Sequence, residues 1–139
     1  MRFAAFSDRL TINPKRVREW IREGIVQPVA PPSGRGRHNE YDDVSLLVAA
    51  VAGVLDELHV TVAHYRPALS KFHDLLRAKS SLEWGQYQLD LTPASAKLLD
   101  ADADLVTPNA SIRVDLSRLC TRLMLSERQQ SLGFGLRAL

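Results

Sequence analysis

A chain of 139 residues, 45% hydrophobic and 24% charged, carries enough apolar surface for one compact domain or a small head with an appendage, which excludes an unfolded polymer. No stretch reaches the roughly 18 unbroken apolar residues of a membrane span. The start, MRFAAFSDRL, is too short in its apolar part for a secretory signal, and the single Cys120 cannot make an internal disulfide, so a cytoplasmic location is expected. The net charge of +2 hides an asymmetry: residues 1–41 hold eight Lys/Arg against four acids (+4), and residues 42–139 hold ten against twelve (−2). A polyanion would be steered to the N-terminal third.

Phe3, Phe6 and Leu10 recur at steps of three and four, which predicts a short first helix over residues 2–10. Thr11 and Asn13 make a turn. Asn13 can cap a second helix, and Pro14 suits its first turn, where no N–H is needed. Val17, Trp20 and Ile21 form a narrow apolar stripe on that helix. Trp20 is therefore expected in the core, with Lys15, Arg16, Arg18 and Arg22 off the stripe. Gly24 supplies a left-handed stop. Two short helices joined by a tight turn, the second basic, make a helix-turn-helix.

Pro28, Pro31 and Pro32 keep residues 25–41 out of a helix, and Gly34 and Gly36 mark a turn. Ile25, Val26 and Val29 are expected to pair with the Asn39–Tyr41 stretch as a small hairpin, or wing, whose tip is Ser33 to Arg37 and which carries Arg35, Arg37 and His38. A basic helix followed by a basic hairpin can grip duplex DNA, the helix in the major groove and the hairpin along the backbone. Tyr41 is expected to pack at the wing root, its hydroxyl near a phosphate.

Asp42 or Asp43 opens a third helix with a broad apolar face from Val44 to Leu58. Its small residues, Ala49, Ala50, Ala52 and Gly53, permit close neighbours. Thr61 can cap a fourth helix to about Ala78, kinked near Pro67. On it Val62, Tyr65, Leu69, Phe72 and Leu76 form a heptad-like seam that packs on the third helix or on a second chain. Dimerisation is the favoured reading, because two joined heads read more DNA.

Ser80–Ser81 look like a boundary. Beyond it Tyr87–Leu91 and Ile112–Leu116 alternate as strands do, and Pro93–Leu99 suits one or two helical turns. Asp100, Asp102 and Asp104 supply turn chemistry. Leu116 to Leu125 reads as a last helix, and residues 131–139 as a mobile tail. The expected organisation is mainly α with small β elements: a winged helix-turn-helix head (1–58), a helix for dimerisation (59–79), a C-terminal α/β segment for dimerisation or a protein partner (80–130), and the tail.

Other candidate chemistries are poorly supplied. His59, His64 and His73 lack metal-ligand spacing and a nearby cysteine. The aspartates at 100, 102 and 104 lack the glycine and closing glutamate of a calcium loop. Cys120 lies on an apolar helical face as an inert thiol. No hydrolase arrangement or phosphate-cradling glycine loop is present, so neither enzymatic activity nor a cofactor is expected.

The succession Val17-Arg18-Glu19-Trp20, Glu23-Gly24-Ile25, Pro28, Gly34 to Arg37 and Tyr41-Asp42-Asp43-Val44, with the junction Leu55 to Val62, resembles the MerR family of bacterial regulators over about residues 1–78. The resemblance implies a winged helix-turn-helix that binds a near-palindromic, inverted-repeat operator as a homodimer. Lys15, Arg16 and Arg18 then fall on the recognition helix, and Arg35, Arg37 and His38 on the wing. Asn39 stands where that family commonly has a wing arginine two residues before the tyrosine. One cysteine cannot build the multi-thiolate site of metal-sensing relatives. A transcriptional regulator is the leading expectation. The alternatives are an antitoxin-type interaction module with a DNA-binding head, and a DNA-bending architectural or excision factor.

Overall fold

In the computed structural model residues 1–29, 39–100 and 110–123 are described. The first helix, Phe3–Arg9 (α1), turns Phe6 and Ser7 inward, and Leu10 ends it with its N–H on the Ser7 carbonyl. A tight turn leads to Pro14–Arg22 (α2). There the Asn13 side chain accepts from the Lys15 N–H at 2.9 Å and Pro14 occupies the first turn, as the sequence suggests. Gly24 at φ 76° reverses the chain, and the Ile25 and Val26 amides fold back onto the Trp20 carbonyl at 2.8 and 3.2 Å. That closes the end of α2.

Beyond α2 the two arms of the expected hairpin meet at one bridge. Val29 pairs antiparallel with Glu40, its N–H donating to the Glu40 carbonyl at 2.8 Å. The expected tip, Ser33 to Arg37, lies outside the described residues. The N-terminus lies alongside the second arm: the Met1 ammonium donates to the Tyr41 carbonyl and the Tyr41 N–H to the Met1 carbonyl.

Asp43–Glu57 (α3) is the central helix. Asp42 caps it by accepting the Ser45 N–H at 3.0 Å. Residues 44–53 are all buried, so α3 is enclosed on every side and not on a stripe alone. Its small residues make this feasible. A Cβ placed on Gly53 would stand 2.5 Å from the Ile12 Cδ1, which shows how closely the α1–α2 turn approaches.

His59, at φ 60°, ends this segment in the left-handed region. A 3-10 turn, Val62–Tyr65, then runs into Arg66–Arg77 (α4). Two expectations change here. Thr61 precedes the 3-10 turn and makes no side-chain cap. Pro67 sits in the first turn of α4, where its missing N–H interrupts nothing, so it starts the helix and does not kink it. The seam is also internal. Leu69, Phe72 and Leu76 are fully buried, Val62 nearly so and Tyr65 partly, all within the chain's own core. The expectation of a second copy on this seam is corrected for Val62, Leu69, Phe72 and Leu76, which the chain's own core encloses, while Tyr65 keeps part of its surface exposed.

Past a second 3-10 turn, Trp84–Gln86, three strands form an antiparallel sheet: Tyr87–Thr92 (β1), Ser95–Asp100 (β2) and Ile112–Asp115 (β3), in the order β2-β1-β3. The expected strands are β1 and β3. The helical turns expected at Pro93–Leu99 are instead a hairpin. Pro93 and Ala94 make the turn, Thr92 pairs with Ser95, and Ala96 and Leu98 stand opposite Leu91 and Leu89. Ser95–Asp100 gains a full ladder from β1, and an isolated helical turn of that length is marginal. A last helix covers residues 116–123 (α5). Asp102, Asp104 and the expected tail at 131–139 lie outside the described residues.

One continuous cluster of buried residues runs from Phe6 to Leu123. The core therefore does not break at Ser80–Ser81. The buried Trp84 Nε1 donates to the Leu76 carbonyl at 3.1 Å, and α4 packs on β2. Arg9 on α1 donates to the Leu123 carbonyl at 3.1 Å, tying the start of the chain to α5.

Candidate nucleic-acid interface

The side chains of α2 from Lys15 onward, with Glu23 just past its end, divide into three sectors. Val17 and Trp20 face the core, at 0% and 2% exposure, with Ile21 at their edge. At about 100° per residue, Lys15, Arg18 and Arg22 (i, i+3, i+7) fall within about 60° of arc on the outward side. All three are exposed. Glu19, Glu23 and Arg16 occupy the remaining flank. Lys15 and Arg22 make no ion pair among the described residues. The Arg18 guanidinium lies 4.6 Å from the centre of the Phe3 ring, an arrangement that steadies its stem against α1 while its polar edge stays in water.

Arg16 is placed differently from its neighbours. Its Nη2 donates to Asp56 Oδ1 at 2.8 Å and its Nη1 to Glu19 Oε2 at 3.1 Å. The hydrogen bond and charge of Asp56 hold the guanidinium above its ordinary pKa, with a smaller contribution from Glu19. The side chain thus bridges α2 to the end of α3, turned away from the sector of Lys15, Arg18 and Arg22. It borders a cleft of about 410 Å³ between α2 and residues 59–63, which Glu19, Glu23, Asp56 and His59 also line.

The other expected contacts divide as follows. Arg35, Arg37 and His38 lie outside the described residues. Asn39 is exposed beside the Val29–Glu40 bridge. Tyr41 is 4% exposed, its ring stacked on Phe6 at 4.6 Å and edge-on to Phe3 at 6.3 Å. Its role is to anchor the second arm of the loop to α1, and the ring does not stand out toward a ligand.

Side chains from α3 and α4 hold the chain at Gln27, just past α2. The Gln27 N–H donates to His73 Nε2 at 3.3 Å, and the Ser45 hydroxyl donates to the Gln27 carbonyl at 2.6 Å. Asp42 caps Ser45 and pairs with Arg77 at 3.2 Å. The Asp42–Ser45 spacing is a visible capping signal. His73 gave none, because nothing local joins positions 27 and 73. The Cys120 thiol is half-buried and pushed up to about 11 by burial and then by Asp115, so it is a poor nucleophile. Among the described residues no three His, Cys, Asp or Glu are grouped to hold a metal ion, and no helix is long and apolar enough to cross a membrane.

No protein-family model matches the chain, and no curated protein matches it significantly.

Proposed function

We propose that the chain binds duplex DNA through its N-terminal third, as a winged helix-turn-helix regulator of the MerR-like type. The observation that carries this reading is the sector of Lys15, Arg18 and Arg22. Three exposed cations lie along one side of a helix whose opposite side is locked into the core. Such a helix can be laid against a groove without disturbing the fold, and its charges neutralise phosphates with release of counterions. The +4 balance of residues 1–41 and the antiparallel pairing of Val29 with Glu40 support the same reading. Arg16, held by Asp56, serves as a brace for the helix and not as a base reader. Two copies on an inverted repeat would meet through surfaces other than the buried seam.

Fluorescence anisotropy with duplexes selected from a random pool tests this. Affinity falls with salt on a log–log slope of about −0.9 per phosphate contact. The double variant Lys15→Glu/Arg22→Glu loses affinity across all sequences and flattens the slope by about 1.8. Unchanged binding in that variant, or no salt-dependent binding by the parent chain, overturns the proposal. An inverted repeat among the selected duplexes identifies a paired complex and gives its half-site spacing.

A further inference from the structure

We propose that His73 is a positioning residue: its neutral imidazole holds the root of the DNA-facing loop at Gln27, and a proton on that ring releases the root. The consequence for DNA rests on the reading above, whereas the mechanical step stands on the geometry alone.

Gln27 is gripped at both of its backbone groups. His73, on α4 and 1% exposed, accepts its N–H through Nε2, and Ser45, in the first turn of α3, donates to its carbonyl. Two residues further on, Val29 makes the bridge to Glu40, and two residues earlier Ile25 closes the end of α2. A shift at Gln27 is therefore felt by both the basic helix and the outgoing arm. Acceptance by Nε2 fixes the tautomer, with the hydrogen on Nδ1, which is buried and has no hydrogen-bond partner among the described residues.

Charged and polar groups from three parts of the chain act on the ring. Arg77 and Asp74 lie on α4, Asp42 caps α3, and the Ile25 carbonyl belongs to the loop. Burial first, and then Arg77, hold the imidazole below its ordinary pKa. The Ile25 carbonyl, Asp42 and Asp74 oppose them and are outweighed. Asp42 is already paired with Arg77 at 3.2 Å. When a proton binds Nε2, the lone pair that accepts the Gln27 N–H is used up, and two N–H groups face each other. The new cation sits in a buried site beside a guanidinium. The ring is relieved by reaching water, and the way out is displacement of the loop root.

The direction is diagnostic. Protonating histidines ordinarily strengthens binding to a polyanion by adding positive charge. Here acid weakens DNA binding, because the loop loses its support.

The test uses the full chain and NMR between about pH 7.5 and 5, the range in which histidine ordinarily titrates. The Gln27 amide shift and the His73 ring shifts are expected to titrate with one midpoint, below that of a free histidine. The protection of the Gln27 amide from exchange, corrected for intrinsic rates, falls about tenfold per pH unit below that midpoint. In His73→Gln the side-chain carbonyl can accept the same N–H without titrating, and the Gln27 protection becomes independent of pH. Separate midpoints, or the same pH dependence in the variant, overturn the proposal. If the variant does not fold, the coincidence of midpoints in the parent chain decides alone. A parallel anisotropy titration with a fluorescent mixed-sequence duplex is expected to show several-fold weaker binding in acid for the parent and none of that loss for His73→Gln. Stronger binding in acid overturns the link to DNA. Absence of binding at every pH overturns the DNA reading and leaves the NMR result to judge the loop.

Discussion

Asp42 joins three parts of the molecule through one carboxylate. It caps α3 at the Ser45 amide, lies 3.1 Å from the Ser45 hydroxyl that holds Gln27, and pairs with Arg77 of α4. Partial burial pushes its pKa up, but the Ser45 amide and hydroxyl together with Arg77 outweigh that and leave it lowered. A carboxylate with a lowered folded-state pKa contributes stability above its unfolded value of about 3.9, and that stability is lost as pH falls through the folded value. Asp42→Ala is expected to cost about 1 kcal/mol at neutral pH through the lost cap. Asp42→Asn retains the cap and loses only the exposed pairing with Arg77, within about 1 kcal/mol. Both variants should show a shallower loss of stability below about pH 4 than the parent. Thermal melts at neutral pH and in that acid range give the comparison. Asp42 was legible as a helix start because a cap acts within three residues. Its pairing with Arg77, thirty-five positions away, has no local signature.

The reversal after α2 is the element on which the loop geometry depends. Gly24 takes φ 76°, and a Cβ built there meets nothing within 4 Å. The cost of Gly24→Ala is thus one of backbone conformation alone, about 1–2 kcal/mol. Equilibrium denaturation should report that loss with an unchanged m-value. A loss beyond about 3 kcal/mol would mean that the reversal governs packing well past its own turn. This stop, the Asn13 cap and the Trp20 stripe were all readable, because each depends on spacings of four residues or fewer. The hairpin at Pro93–Ala94 was missed for the complementary reason. Ser95–Asp100 has no strong intrinsic preference and takes its strand form from β1. The seam on α4 was correctly seen as apolar. Whether it covers a second copy or the chain's own α3 is decided by three-dimensional proximity alone.

At the scale of the whole molecule, the parts expected to be separable share one core. Trp84 bonds the Leu76 carbonyl, α4 lies on β2, and Arg9 reaches the Leu123 carbonyl. A chain ending at residue 79 would expose Leu69, Phe72 and Leu76, all fully buried in the intact protein. Uncovering even one such side chain costs about 1.5–3 kcal/mol, and the margin of a small domain is about 5–15 kcal/mol. Residues 1–79 are therefore expected to lose cooperative unfolding and to bind hydrophobic dye. A sharp thermal transition for this fragment, close to that of the full chain, would show that the head is self-sufficient. Arg16 gives the same lesson at the surface. Its type and helix position grouped it with Lys15 and Arg18, yet its direction depends on Asp56, forty residues away.

By itself the sequence determined the helices α1 to α3, the strands β1 and β3, the caps and stops between them, and the concentration of positive charge in the first 41 residues. All of these follow from interactions within a turn or a strand, or from composition. The tertiary structure alone decided which cations face outward, that the α4 seam is internal, that β2 is a strand, and that His73 lies under Gln27. Each of those depends on groups far apart in the chain, brought together only when burial of apolar surface closes the fold.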